Sequence, residues 1–348
     1  MQRPSHGRGA AANPRNRFTE LWVEPDAPPG RVATRVFEDD TRTVISTNAS
    51  PDLPFTQSLN PYRGCEHGCA YCYARPTHEY LGLSAGLDFE TQLFAKPRAA
   101  SLLRDALAKP SYRPSALALS GVTDCYQPVE KELGITRACL EVLRDCRHPV
   151  SIVTKGALVA RDAELLGGMA RDGLASALLS ITTLDPALAR DLEPRASAPA
   201  RKLRALEALA AAGVPVGVMV GPVIPGLNDH ELPAILAAAR ARGASFAAYL
   251  LLRLPHGVRE LFDAWLERHR PQRRERVLSR IRACRGGALS DPSFGSRMRG
   301  SGPYADQIRA LFQSAARSQG LMTESPRLTT AHFRPPLTRG AQLPLFGT

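Results

Sequence analysis

Short apolar runs alternating with longer amphipathic segments dominate most of this chain, and that alternation constrains its fold more than any single residue. Ala116–Ser120, Val150–Thr154, Ala177–Thr182, Val216–Val220 and Phe246–Leu252 read as strands, with a first strand just before Cys65. Helical patterns fall between them, near 97–109, 129–145, 157–172, 200–212 and 229–242. One unit roughly every 30 residues is the spacing of consecutive βα crossovers, which makes the sheet parallel. Gly173, Gly213 and Gly243 stand where a helix should stop before the next strand begins. Six units predict an α/β protein with a partial (β/α)6 barrel of TIM type. A closed eight-stranded barrel needs two more strands after residue 255, where the sequence instead reads as a helical, arginine-rich extension. Barrel active sites gather at the carboxyl ends of strands. Here those ends are polar or glycine-rich: Ser120-Gly121-Val122-Thr123-Asp124, Thr154-Lys155-Gly156, Ser180-Ile181-Thr182-Thr183 and Gly221-Pro222-Val223-Ile224-Pro225-Gly226.

The chemistry concentrates in Arg63-Gly64-Cys65-Glu66-His67-Gly68-Cys69-Ala70-Tyr71-Cys72-Tyr73. Cys65, Cys69 and Cys72 are spaced C-x3-C-x2-C, and three soft thiolates so close together suit three corners of an iron–sulfur cubane. A fourth cysteine is missing locally, which leaves one iron open, as catalytic metal sites are. Gly64 and Gly68 allow the loop to wrap an inorganic core closely. A structural zinc site is the alternative, with His67 or His78 completing the ligands, but no second cysteine pair exists. The odd cysteine count of 7 and the scatter of the other four argue against structural disulfides.

The triplet, with an aromatic before its last cysteine and an α/β region after it, resembles the signature of the radical SAM superfamily. Asn60-Pro61-Tyr62-Arg63-Gly64-Cys65, Thr123-Asp124-Cys125-Tyr126-Gln127-Pro128 and Val223-Ile224-Pro225-Gly226-Leu227-Asn228-Asp229 are similar to the branch around spore photoproduct lyase and its uncharacterised relatives. The resemblance covers residues 45 to 255. It implies a [4Fe–4S] cluster whose unique iron chelates S-adenosylmethionine (SAM), an external electron donor, and a 5′-deoxyadenosyl radical that abstracts hydrogen from a substrate.

The same resemblance offers further site residues, each with a structural alternative. Tyr71 occupies the position lying beside adenine, or it packs over the loop. Lys155 would meet the SAM carboxylate, or it is a surface lysine at a strand end. Ser120 and Ser180 would bond the amino-acid portion or the ribose, or cap the following helices. Gly226 would let the fifth-strand loop approach adenine. Glu193 or Arg195 would serve SAM or substrate. Cys125 is the candidate hydrogen donor to a carbon radical, or a small buried hydrophobe.

A formal net charge of +12 points to an anionic partner, nucleic acid first. Arginine-, alanine- and proline-rich usage of the kind GC-rich codons produce dilutes that signal. Arg268, Arg270, Arg273, Arg274, Arg276, Arg280, Arg282 and Arg285 nonetheless crowd one short stretch, followed by Arg297 and Arg299. The expected organisation is a flexible basic arm over 1–42, the barrel over 43–255, a basic helical region over 256–325 and a flexible tail over 326–348. In that tail, Gln342, Leu343, Leu345 and Phe346 resemble the short peptide that hooks bacterial sliding clamps. No run is apolar enough to span a membrane, and free thiols fit a cytoplasmic location. The leading expectation is a radical SAM enzyme acting on a DNA lesion or modified base. An iron–sulfur protein that binds nucleic acid or senses redox without turning over SAM, and a radical enzyme acting on a protein or small metabolite, stay open.

Overall fold

The computed structural model describes residues 7–19 and 32–336. Six parallel strands follow one another round a single sheet: β1 (Gln57–Leu59), β2 (Leu117–Leu119), β3 (Val150–Thr154), β4 (Ala175–Ser180), β5 (Val216–Val223) and β6 (Phe246–Leu251). Each pairs with the next in chain order. Helices cover the outer face, so the strands are apolar on both sides; β4 is buried at every position. Pro199 and Pro233 sit in the first turns of Pro199–Ala211 and Leu232–Arg240, where a missing N–H is harmless. Gly173, Gly213 and Gly243 take φ of +69°, +81° and +95° just past the helices they end.

The barrel is open. A short antiparallel strand, Ile45–Thr47, lies along the free edge of β1, and the outer edge of β6 carries, among the described residues, a single bridge to Met322, which bonds the backbone of Ser245 and Ala247. The two edges are instead joined by side chains. Asp52 accepts from Gly295 N at 2.7 Å and from Arg297 Nε at 2.5 Å, across 245 residues of sequence.

One apolar core runs from Leu59 through Ile152, Leu179 and Val218 to Ile308 and Phe312 of helix Pro303–Ser318. A second gathers Tyr71, Leu192, Ile224, Phe262, Trp265 and Ile281. It seats helices Val258–His269 and Arg274–Ala283 against the cysteine loop.

Several expectations need correction. The strand before Cys65 is two strands: β1 joins the barrel, while Tyr62–Arg63 turns away to pair with Gln92–Ala95 in a separate three-stranded sheet. The segment 129–145 is broken at Gly134, whose φ of +64° separates Glu130–Leu133 from Ile135–Asp145. The arm over 1–42 is not loose where it is described: Ala10 is buried, Arg8 and Asn16 nearly so, and Arg35–Glu38 is a strand paired with Gln92–Ala95. Arginine clustering also overstates the basic surface. Arg285 is buried and donates to the carbonyls of Leu251, Leu252, Ser296 and Arg297, while Arg270 and Arg274 pair with Asp191 and Asp263. The clamp-like residues Gln342, Leu343, Leu345 and Phe346 lie outside the described residues.

No helix among the described residues is long and apolar enough to cross a membrane.

Candidate active site

The cysteine loop crosses the carboxyl-terminal end of the barrel and is held from several sides. Gln127, fully buried, accepts from Glu66 N at 2.8 Å and donates to Gly64 O at 3.2 Å. Arg75, also fully buried, uses all five N–H groups: Nε and Nη2 reach Cys69 O, Nη1 reaches Ala85 O and Gly86 O, and Nη2 also pairs with Glu90. Lysine could not satisfy that set. Gly64 and Gly68 have φ of +77° and +62°. A Cβ on Gly68 would sit 2.5 Å from Glu90 Oε2, so the loop tolerates only glycine there.

Cys65, Cys69 and Cys72 are free thiols. Burial pushes all three up, helped by Asp124 beside Cys65 and Glu193 beside Cys69. No three His, Cys, Asp or Glu side chains among the described residues are gathered to hold a single metal ion. The histidines of the zinc alternative are not gathered with the cysteines into such a group: His78 Nε2 bonds Gln92 O at 2.9 Å, and His67 Nδ1 lies 3.3 Å from Asp124 Oδ2. Three thiols on one glycine-hinged loop fit a cubane with an open corner.

Around the loop, the strand ends assemble a charged ring. Lys155, following β3, donates from Nζ to Ser180 Oγ at 2.9 Å, and Ser180 donates to Gly221 O at 3.0 Å. Burial opposes the ammonium, but Glu193, Cys69 and Asp124 outweigh it and hold the lysine above its usual range. Tyr71 is buried, with its hydroxyl bonded to Glu193 and Thr182 and its ring 5.9 Å from Lys155 Nζ. Glu193 also takes Lys202 Nζ at 2.6 Å; burial would raise its carboxyl, but Lys202 and Lys155 bring it down to about 2. Asp124 likewise falls well below the carboxylate range. Burial acts against this, while His67, Lys155 N and Thr154 Oγ1 outweigh it.

Lys155, Ser180 and Tyr71 are thus brought together beside the cysteines. Ser120 is not: it sits at φ +71°, and its hydroxyl accepts from Cys125 N at 2.6 Å, a bond that closes the loop after β2. Gly226 lies against the arginine-rich helix, where a Cβ would meet Arg280 and Arg276. Cys125 points into the main core with zero exposure, and burial raises its thiol far above the ordinary value. The substrate-facing position expected for it is not what the structure shows, since the side chain packs within the core. Asn228, from the same quoted motif as Gly226, donates to Thr182 O and Pro222 O and accepts from Ile224 N, stitching β4 to β5.

Gln127, Arg75, Glu90 and the Glu193–Lys202 pair were not singled out as loop-holding residues from the sequence. Gln127 lies in a quoted motif and Arg75 stands three residues after Cys72, but their partners are 61 and 15 residues away. Only the fold shows those contacts.

Comparison with known proteins agrees with this geometry. Solved structures of spore photoproduct lyase share the fold. The one complexed with dinucleoside spore photoproduct has a TM-score of 0.60 at 14% identity, covering 83% of this chain and 81% of that chain. A point mutant of the lyase gives the same TM-score, covering 83% of this chain and 80% of its own. Uncharacterised proteins of Mycobacterium tuberculosis and Mycobacterium bovis are 38% identical over 250 residues, 71% of this chain and 72% of theirs. An uncharacterised protein of Methanocaldococcus jannaschii is 29% identical over 173 residues, covering 50% of this chain and 62% of its own. The model of the radical SAM superfamily matches residues 59–239, more than half of the chain. By that match the chain belongs to the radical SAM superfamily, as an enzyme that uses a [4Fe–4S] cluster and SAM.

Proposed function

We propose that this enzyme acts on nucleic acid, presented as an unstacked base at the mouth of the barrel. The carrying observation is a pair of aromatic–guanidinium stacks beside the cysteine loop. Tyr73, the residue after Cys72, has a half-exposed ring, its hydroxyl on Gly121 O, and the Arg253 guanidinium 5.5 Å from its ring centroid. Arg253 makes no ion pair among the described residues, and its Nη1 lies 3.6 Å from Met298 Sδ. Next to it, Arg297 lies 4.5 Å from the centroid of the exposed ring of Phe294. Exposed rings with adjacent cations are platforms on which bases stack with little regard to sequence. The net charge of +12 supplies attraction for a polyanion. A spore photoproduct lyase of similar fold is complexed with a dinucleoside ligand, which supports a substrate of this class.

In this reading Cys65, Cys69 and Cys72 hold the cluster, Lys155 and Ser180 receive the polar end of SAM, and Tyr71 and Glu193 fix the floor beneath it. SAM bound at the cluster supplies a 5′-deoxyadenosyl radical on one-electron reduction, drawn from an external electron donor. The chain's own task is to orient the reactants and exclude water.

The test is anaerobic reconstitution, reduction with dithionite, and measurement of 5′-deoxyadenosine with SAM alone and with damaged single-stranded DNA. DNA should stimulate release, and its binding should weaken steeply with salt. Arg253→Ala should weaken DNA binding about fivefold, as loss of one guanidinium–π contact of about 1 kcal/mol implies. Binding that is indifferent to both salt and Arg253→Ala, or release stimulated by a peptide or metabolite and not by DNA, would discard nucleic acid as the substrate.

A further inference from the structure

The amino-terminal segment 8–16 lies across the cysteine loop, and its contacts are with the loop's own supports. Gly9 N and Ala10 N donate to the two oxygens of Glu90 at 3.0 and 2.8 Å, the same carboxylate that pairs with Arg75. Arg8 reaches Glu90 O at 3.0 Å with Nη1, and Val32 O and Thr34 Oγ1 with Nη2, each at 2.9 Å. Thr34 in turn donates to Glu66, inside the loop. Two glycines permit this approach. A Cβ on Gly9 would lie 1.6 Å from Gly68 O, and one on Gly86 would lie 2.0 Å from Ala12 O. Further along, Asn13 and Asp88 exchange two hydrogen bonds, Ser84 Oγ donates to Pro14 O, and Asn16 donates to Glu79 O and Leu83 O. On the strap's far side, a cavity of about 200 Å³ separates Gly9–Pro14 from Glu260, Leu261 and Trp265 of helix Val258–His269.

A terminal segment held only for stability would be expected to bury apolar side chains. This one presents almost none, and directs its polar groups at Glu90, through which Arg75 reaches the Cys69 carbonyl. We propose that residues 8–16 are a strap forming one wall of the cluster site, with Arg8, Gly9 and Ala10 as positioning residues that keep water and small solutes from the Gly68–Cys69 side of the loop. The inference rests on the reading that Cys65, Cys69 and Cys72 hold the cluster. Exclusion of water bears directly on such a site, because solvent exposure and hydrogen bonding help set a cluster's potential.

The experiment uses the full chain, reconstituted anaerobically. Gly9→Val forces the strap off Gly68, and the neighbouring cavity lets it lift without disturbing the barrel. Arg8→Ala removes the anchor without adding volume. Phe18→Ala is the control, since that exposed ring lies just past the strap and stacks on Tyr80. Iron and sulfide content, iron release to a ferrous chelator, cluster reduction midpoint and thermal melting are measured for each. Gly9→Val and Arg8→Ala should release iron at least about tenfold faster than the parent. The Gly9→Val midpoint should be more positive, because water favours the more negatively charged reduced cluster, whereas Arg8→Ala also removes a cation that acts in the opposite direction, so iron release reads that variant. Phe18→Ala should match the parent in release and midpoint. If the parent loads no iron and sulfide, the cluster reading itself fails. If the parent loads fully while Gly9→Val and Arg8→Ala show unchanged release and midpoint, the strap proposal fails alone. Should Gly9→Val not fold, Arg8→Ala decides by iron release, which a purely structural anchor would not move at constant melting temperature.

Discussion

The ammonium of Lys155 donates to the hydroxyl of Ser180 at 2.9 Å, tying the ends of the third and fourth barrel strands together beside the cysteine loop. Two residues 25 apart in sequence thereby present a cation and a hydroxyl to one point. Lys155→Met should weaken SAM binding to the reconstituted protein by roughly 10- to 100-fold, the scale of a lost charge-assisted hydrogen bond of about 1.5–3 kcal/mol. Ser180→Ala should weaken it less, since the ammonium remains. Equilibrium binding with the cluster loaded measures both, and equal affinity for parent and Lys155→Met would remove the lysine from the site.

Gln127 spans the loop between Glu66 N and Gly64 O. Gln127→Ala leaves a buried donor and a buried acceptor unpaired, which should destabilise the chain by about 2–6 kcal/mol, taking about 1–3 per orphaned group. Gln127→Glu keeps the acceptor but loses the donor to Gly64, and should fall between. Denaturant midpoints of the metal-free chain give the order.

His148 is fully buried beneath the barrel, its Nε2 2.8 Å from Tyr112 Oη and its Nδ1 3.0 Å from Pro149 O. Burial brings its pKa down to about 4 from the ordinary 6.5. Between those values the unfolded chain takes up the proton and the folded chain does not, so stability falls as pH drops from 6.5 to 4 and levels off below. His148→Asn should lower stability at neutral pH yet flatten this part of the profile relative to the parent. His78, brought down to about 4 by its own burial, retains its share of the slope in both proteins. Parallel profiles for the two proteins would contradict the assignment.

The peptide Gln342-Leu343-Pro344-Leu345-Phe346 predicts a sliding-clamp partner. Protein ending at residue 341 should lose binding to a bacterial clamp while keeping its melting temperature. Replacing Leu345 and Phe346 with alanine should do the same, because two apolar plugs carry most of such a contact.

Much of the barrel was legible because its signals are local. Apolar runs of strand length and glycines just past helix ends depend on neighbours in sequence, and Val150–Thr154 and Gly173, Gly213 and Gly243 fall where they were expected. The cysteine loop was legible for the same reason. Lys155 and Ser180 were placed together by barrel logic, which converts a strand end into a position, and Tyr71 by the family resemblance. What escaped depends on partners far away. Nothing near Gly9 announces that its backbone meets Gly68, and nothing near Gln127 announces Gly64. Cys125 and Ser120 were misplaced because a strand-end residue has two directions available, and the left-handed turn at Ser120 directs the following thiol inward.

An eight-stranded barrel is a hoop whose girth is fixed by an unbroken ladder of backbone bonds. Here the hoop is fastened by a buckle: Asp52 on one lip, Arg297 and Gly295 N on the other. Widening the bore means parting a few hydrogen bonds, the one from Arg297 to Ser50 among them, rather than unzipping a ladder, so the polymer proposed above as substrate would enter sideways without threading an end.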